Sequence, residues 1–238
     1  MATPNHRQEN QRVYILHTYP FKETSLIVEV FTEKFGRIPV VAKGARRPRS
    51  SIRGMLQSFQ VLLANWSGKS ELKSLNGLEW CERLTILEGD ALMCGFYINE
   101  LMMRLLPRDE PHIDLFHFYH ETILALSEGR ELTITLRRFE LKLLQALGYA
   151  VTLDHDEDSN PIIPDKIYRY EAEYGACDLM KTDHGIKVLG KTLLDMASDQ
   201  YISKETQQQS KQLMRYLLGF YLGDKPLHSK QLFVDLQG

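Results

Sequence analysis

Acidic residues are missing from a long stretch of this sequence. Between Lys34 and Ser70 there is no aspartate or glutamate, whereas the whole chain of 238 residues has a formal net charge of -2. The cations of this stretch are therefore offset by acids placed elsewhere, and they create a local positive field on a nearly neutral protein. Such a field is typical of proteins that bind a phosphate-bearing partner.

Cysteine is also scarce. The three cysteines, Cys81, Cys94 and Cys177, are widely spaced and include no C-x-x-C pair. This pattern argues against a disulfide framework and favours a reducing cytoplasm. His117 and His120 lie three residues apart on a predicted helix, but a fourth ligand for structural zinc is not evident. We therefore predict no metal site and no cofactor.

The motifs of common enzyme classes are missing as well. The sequence has no G-x-S-x-G, no glycine-rich loop that ends in Gly-Lys-Ser/Thr, and no H-E-x-x-H. No apolar run reaches the roughly 18 residues that span a bilayer, and the polar first residues do not form a secretory signal. We predict a non-enzymatic cytoplasmic protein. A metal-dependent nuclease built on Asp154, Asp156 and Asp158 stays open, although a solvated acidic loop is the simpler interpretation.

The acid-free stretch concentrates its positive charge between residues 43 and 51, where glycine, proline and two serines indicate a flexible loop. Apolar β-branched runs on both sides indicate that the loop joins two strands. A basic loop on a small sheet suits contact with the DNA backbone, although such loops also serve solubility or targeting. The candidate DNA-binding residues are Arg37, Lys43, Arg46, Arg47, Arg49 and Arg53.

Five short strands with tight turns are predicted between residues 12 and 80, after a disordered segment at residues 1–11. This number of strands favours a small antiparallel barrel of the OB-fold type, and a plain sheet packed on helices is the alternative. Helical periodicity then predicts a helical domain over residues 81–238, with a loop-rich insertion near residues 150–190. The predicted class is thus α+β: a five-stranded OB-fold β-barrel followed by an α-helical domain.

Two arginines stand next to apolar positions on one of the predicted helices, in the run Leu136-Arg137-Arg138-Phe139-Glu140. A solvated face paired with glutamate is the plain interpretation. An arginine at the rim of an apolar groove would instead suit an acidic or C-terminal peptide. On the residues alone, the solvated face is favoured.

Several stretches taken together resemble the RecO family of bacterial recombinational repair proteins. The order of these stretches along the chain is most similar to that in gammaproteobacterial members. The blocks V-A-K-G-A-R and R-R-F-E-L are the most specific of them in combination. The stretches are Leu16 to Leu26, Val30 to Thr32, Gly36-Arg37, Val41 to Arg46, Gly54 to Gln57, Tyr97 to Leu101, Leu136 to Leu141, Leu147 to Tyr149, and Lys225 to Leu227.

This resemblance implies an N-terminal OB-fold and a helical C-terminal domain. It also implies binding of single- and double-stranded DNA, annealing of complementary strands and, with RecR as co-partner, help in loading RecA onto strands coated by single-strand-binding protein (SSB). The C-terminal tail of SSB is the implied peptide, and the matching positions here are Arg137, Arg138 and Leu141. This implication favours the peptide-binding interpretation of the arginine pair.

One departure from the family concerns a four-cysteine zinc module that some members carry after the L-G-Y segment. The equivalent region here contains only Cys177, so we expect the module to be absent. Apolar packing of Ile162, Ile163, Ile167 and Tyr168 is expected to hold the region instead.

Two further expectations concern binding. Aromatic residues of the barrel are candidates for stacking on bases, although core packing is an equal alternative; these are Tyr14, Tyr19, Phe21 and Trp66. A protein–protein adaptor, in which the basic loop binds an acidic partner, is the alternative function.

Overall fold

The N-terminal part of the chain is a closed five-stranded barrel. A computed structural model of the protein describes residues 6–149, 151–181, 184–223 and 225–229. The barrel strands follow the order β1-β2-β3-β5-β4, in which β3 and β5 are parallel and the other pairs antiparallel. The predicted OB-type sheet followed by helices is thereby confirmed. The strands are β1 (Arg7–Phe21), β2 (Ser25–Thr32), β3 (Gly36–Ala42), β4 (Val61–Ser67) and β5 (Lys73–Glu82).

The barrel forms because apolar residues alternate along the strands and meet inside. Val28 and Val30 of β2 face Ile38 and Val40 of β3 in one buried cluster. Strand β1 is longer than the sequence indicated. It begins at Arg7 and pairs with β4 there, so residues 7–11 are part of the barrel and not disordered; residues 1–5 lie outside the described part of the chain.

Two helices pack on this barrel, α1 (Gly89–Leu105) and α2 (Ile113–Ser127). Asn99 of α1 is buried, donates to the backbone oxygen of Leu16 at 3.0 Å, and accepts from the Tyr119 hydroxyl at 2.6 Å. A buried amide on α1 with partners on β1 and α2 fixes the mutual position of these three elements, because leaving any of these polar groups unpaired would cost about 1–3 kcal/mol.

The remaining elements form a second compact unit over residues 131–226. It contains α3 (Leu132–Ala146), α4 (Gly190–Ala197) and α5 (Lys204–Leu222). Ser203 caps the start of α5, since its hydroxyl accepts from the backbone nitrogen of Thr206 at 3.0 Å.

The insertion expected to be loop-rich contains a three-stranded antiparallel sheet of order β7-β6-β8. Its strands are β6 (Ile167–Glu171), β7 (Gly175–Asp178) and β8 (Ile186–Leu189). Of the four residues expected to hold this region, Ile162 and Tyr168 are buried, but Ile163 and Ile167 are exposed. The short strands were missed because their apolar residues number only two or three each.

The compact units divide the chain at Arg130, beyond the predicted boundary at residue 80. The first unit includes α1 and α2, since Asn99 of α1 binds Leu16 of β1 and Phe116 of α2 packs against Tyr14 and Phe31 of the barrel. It also includes residues 227–229, where the Glu100 carboxylate accepts from the backbone nitrogens of His228 and Ser229 at 2.8 Å each. The helix predicted for Ser229 to Leu236 lies almost entirely outside the described residues.

Within the described ranges, no helix is long and apolar enough to cross a membrane.

Candidate nucleic-acid interface

The basic loop, defined here as residues 43–60 between β3 and β4, is more ordered than its composition indicated. A succession of turns runs along it, with backbone hydrogen bonds from Arg47 to Gly44, from Ser50 to Arg47 and from Arg53 to Ser50. A short 3-10 helix, Arg53–Met55, follows. Gly44 has φ of +69°, a left-handed conformation that favours glycine. The loop is thus a preformed structure and not a flexible tether.

Apolar side chains anchor the loop to the barrel. Ala45 is fully buried in the barrel core, and Ile52, Met55 and Leu56 pack against the same cluster. The backbone nitrogen of Arg46 also donates to Thr24 in the β1–β2 turn at 2.9 Å. Because the apolar residues point inward, the cations between them point outward.

The loop's cations are exposed and have no ion-pair partner in the described part of the chain. Among the residues that the structure describes, none of them forms an ion pair, and Arg46 alone has a side-chain hydrogen bond, to the backbone oxygen of Lys22 at 3.5 Å. Their charge is therefore available to an external anion. These residues are Lys43, Arg46, Arg47, Arg49 and Arg53.

An open cleft of about 520 Å³ runs between the basic loop and strand β5. Lys43, Arg47 and Arg49 line one side, and residues 75–77 of β5 line the other. Lys22 in the β1–β2 turn adds a further exposed cation next to Arg46. Sequence reasoning missed Lys22 because its neighbour in the sequence is Glu23, and only the fold brings it to the loop.

Arg37 belongs to a different environment from the loop cations. Its side chain is 11% exposed, pairs with the buried Glu29 carboxylate at 3.0 Å, and donates twice to the backbone oxygen of Leu106. Arg108 binds the other oxygen of Glu29. Arg37 thus joins the barrel to the segment after α1, and we remove it from the proposed interface.

Two of the four candidate stacking aromatics are core residues. Tyr14 is fully buried, with its hydroxyl 2.6 Å from His120 Nδ1, and burial raises its pKa well above the usual value. Trp66 is 2% exposed inside the barrel. Tyr19, 42% exposed, and the half-buried Phe21 lie near the β1–β2 turn and stay available.

The arginine pair of the second unit lies on α3. Arg137 is buried and pairs at 2.6 Å with Glu140, which is fully buried. Arg138 is exposed and donates from Nε to Asp199 at 2.6 Å. Leu141 is 9% exposed. Both arginines thus have acidic partners of the same unit, unlike the cations of the basic loop.

The acidic loop of the second unit does not gather its carboxylates. Asp156 accepts from the backbone nitrogens of Asp158 and Asn160, whereas Asp158 pairs with Lys181 at 2.6 Å. Burial opposes ionisation of Asp156, but hydrogen bonds from Asn160 and Asp158 together with the charge of Lys166 hold its pKa below the usual value. In the described part of the chain, no group of three or more His, Cys, Asp or Glu side chains could hold a metal ion.

The histidines and cysteines considered for zinc are dispersed as well. His117 faces Glu33 at 3.3 Å, whereas His120 contacts Tyr14. Cys177 is buried in the second unit, where burial raises the pKa of its thiol to about 12. A protonated thiol is a poor metal ligand.

Comparison with models of known protein families shows which family this chain belongs to. Residues 6–84 match the domain described as Recombination protein O N terminal, and residues 87–231 match Recombination protein O C terminal. The chain belongs to the RecO family. The boundary between the two RecO matches falls between the barrel and α1.

Individual RecO proteins are similar to this chain over nearly its full length. The chain is 51% identical to a DNA repair protein RecO from Nitrosospira multiformis, over all of this chain and 99% of that protein. It is 46% identical to the protein of the same name from Dechloromonas aromatica, over 96% of each. These relatives are mostly betaproteobacterial, whereas the order of sequence blocks had indicated the gammaproteobacterial branch.

Proposed function

We propose that this RecO-family protein binds single- and double-stranded DNA through the basic loop without reading the sequence. The observation that carries the proposal is the set of five exposed loop cations that lack ion-pair partners among the described residues. Phosphates are the matching ligands. Because these cations have no ion-pair partner within the described protein, they can bind DNA phosphates without breaking an internal ion pair, and only counterions are released. The turns that order the loop also lower the entropy lost on binding.

Annealing is the activity that we derive from this contact. Two complementary strands repel each other through their phosphates, and a protein that neutralises the phosphates while leaving bases accessible removes that barrier. We propose that the protein anneals complementary strands in this way. With RecR as co-partner, it would then help to load RecA onto SSB-coated single strands, as a mediator and not an enzyme.

Helix α3 is the proposed docking site for the C-terminal tail of SSB. Arg138 is the accessible cation there, and a peptide carboxylate would replace Asp199, whose side chain is 61% exposed. Arg137 would require the peptide to displace the buried Glu140, a larger change. We therefore propose that Arg138 makes the first ionic contact, with the buried Arg137 and Leu141 holding the helix that presents it.

Fluorescence anisotropy of labelled single-stranded DNA across a salt series tests the role of the basic loop. Five phosphate contacts predict that the logarithm of the binding constant falls with the logarithm of the salt concentration, with a slope of about -3.5 for single strands. Replacing Arg46, Arg47 and Arg49 by glutamate should weaken binding and flatten the slope by about 2. The matched control replaces three exposed cations of α5 by glutamate, Lys204, Lys211 and Arg215, and gives the same change in charge.

The expected result is loss of affinity in the loop variant with near-normal binding by the control. An unchanged affinity and slope in the loop variant, or an equal loss in both variants, would refute the assignment of DNA to the loop. An annealing assay with complementary oligonucleotides should follow the same ranking of variants.

The alternative function is an adaptor in which the basic loop binds an acidic protein. Competition distinguishes the two. If DNA occupies the basic loop and the SSB tail peptide occupies α3, short DNA should not displace labelled peptide, and Arg138→Ala should weaken peptide binding alone. Displacement of the peptide by DNA, with binding of both lost in the loop variant, would favour the adaptor.

A further inference from the structure

An apolar groove lies in the first unit, where the basic loop ends and α1 begins. Its floor consists of two buried residues, Phe59 and Leu87, and its walls of Leu92, Phe96 and Ile86. Phe96 is 42% exposed and Ile86 is 71% exposed. The groove has a volume of about 300 Å³, at the small end of the range for organic ligands.

The floor of the groove is held in an uncommon backbone conformation. Phe59 has φ of +67°, a left-handed value that is rare for a bulky residue and is found more often at functional sites. Its ring lies directly over Gly95 of α1, where an added Cβ would come within 2.9 Å of the ring. The rings of Phe59 and Phe96 meet edge to face, with centroids 5.4 Å apart. The aromatic surface of the groove is therefore fixed in place.

The groove is continuous with the basic loop. Its rim contains Gln57, whose side-chain amide donates at 2.7 Å to the backbone oxygen of Gly54, the residue after Arg53. A chain that lies on the loop's cations thus reaches the rim without leaving the surface of this unit. Ser58 adds a hydroxyl to the same rim.

The chemistry of the groove favours a neutral, flat, aromatic ligand with polar edges. None of the residues that line it is charged. Exposed Glu88 and Asp90 lie in the segment between Leu87 and Leu92, so anionic groups are disfavoured at this end of the groove and only a neutral part of a ligand suits it. A nucleobase matches all of these features, since every base offers a π-face for stacking and edges for hydrogen bonds.

We propose that the groove holds an unpaired nucleobase of a strand whose phosphates lie on the basic loop. The inference rests on the proposed function, because it takes the position of the backbone from it. A base inside a duplex is stacked between its neighbours and cannot enter, so the groove adds affinity for single strands only. One base held in the groove leaves its neighbours accessible for pairing with a complement.

The test compares an ordinary single-stranded oligonucleotide with one of the same length in which every base is replaced by an abasic spacer. We expect the wild-type protein to prefer the ordinary strand about tenfold, as one stacked base provides. Phe96→Ala and Ile86→Ser should lose this preference while keeping their affinity for the abasic strand and for duplex DNA. Phe220→Ala, which removes an exposed phenylalanine of α5 (52% exposed), is the matched control and should keep it.

The outcomes separate this inference from the proposed function. Equal binding of both strands by the wild type, or an unchanged preference in both groove variants, would overturn the base site and leave the groove to a protein partner. If the Arg46, Arg47 and Arg49 glutamate variant binds abasic strands normally, the proposed function itself fails. Thermal unfolding, monitored by circular dichroism, verifies that Phe96→Ala folds. Ile86→Ser tests the same loss of preference independently, at a more exposed position.

Discussion

Arginine serves two opposite purposes in two regions of this molecule. In the basic loop, Arg46, Arg47 and Arg49 are exposed and have no acidic partner among the described residues. In the interior, Arg37 pairs with Glu29, and Arg137 pairs with Glu140. Both of these glutamates are fully buried. The comparison teaches that a cation marks a binding surface only where the fold leaves its charge uncompensated.

Arg37 shows how strand pairing decides between the two uses. It lies inside the acid-free stretch, but Glu29 precedes that stretch by only a few residues. In the β2–β3 hairpin, Arg37 stands opposite Phe31 and Pro39 opposite Glu29, so the two charged side chains are diagonal neighbours on one face. The local absence of acids along the sequence therefore did not imply their absence in space.

The largest effect is expected for Arg37→Ala. Removing this partner of Glu29 should lower the free energy of unfolding by about 3 to 5 kcal/mol, because the buried carboxylate is left with Arg108 and the backbone oxygen of Leu106 loses two hydrogen bonds. Urea denaturation measures the change, and Arg49→Ala is the control without an effect on stability. A normal stability for Arg37→Ala, with weakened DNA binding, would place Arg37 back in the interface.

The second prediction concerns the buried pair of α3. Arg137→Ala should destabilise the protein by about 3 kcal/mol, since it leaves Glu140 buried without its guanidinium. The double variant Arg137→Met/Glu140→Leu removes both charges and should restore most of that loss. Chemical denaturation distinguishes the two cases.

The same double variant sharpens the assignment of the peptide site. Because it is expected to fold, its affinity for the SSB tail peptide shows whether Arg137 contacts the peptide or only supports the helix. Normal affinity would leave Arg138 as the ionic contact. A loss as large as that of Arg138→Ala would show that the buried arginine takes part in binding.

A smaller effect is expected for a single cation of the loop. Arg49→Ala should reduce the log–log salt slope by about 0.7 for single-stranded DNA and by about 0.9 for duplex DNA, the value of one phosphate contact. Arg130→Ala, which removes an exposed arginine paired with Glu128, is the matched control and should leave the slope unchanged. Equal slopes for both variants would remove Arg49 from the interface.

The smallest effect concerns a histidine whose protonation the fold disfavours. Burial lowers the pKa of His120, and its Nδ1 lies 2.6 Å from the Tyr14 hydroxyl. Because the unfolded chain binds a proton at His120 more readily, stability should fall as the pH decreases below about 6.5, the usual pKa of histidine. Melting temperatures at pH 7.5 and 5.5 should differ less for His120→Gln than for the wild type. An equal difference would show that other groups dominate.

The barrel could be predicted because strand periodicity and turn residues are local signals. The five strands predicted between residues 12 and 80 correspond to β1 to β5. The pattern was weaker where strands are short, so β6, β7 and β8 were missed. The start of β1 was missed because residues 7–11 are polar and are ordered only by pairing with β4.

Some residues of the candidate sites could be predicted from the sequence, and others could not. The five loop cations could be found because their spacing with glycine, proline and serine indicates a surface loop. Lys22 and the groove beside Phe96 could not, since each depends on contacts between segments that are distant in sequence. Tyr14 and Trp66 looked like stacking residues, and only their burial showed that they belong to the core.

By itself, the sequence determined the hydrophobic periods of the strands and helices, the excess of positive charge between residues 34 and 70, and the family. These properties depend on residue type and short-range order. The tertiary structure alone decided which cations are compensated, which aromatics are buried, and where an apolar groove meets the basic loop. Those outcomes depend on contacts between distant segments, because burial and ion pairing are properties of the folded surface and not of the chain.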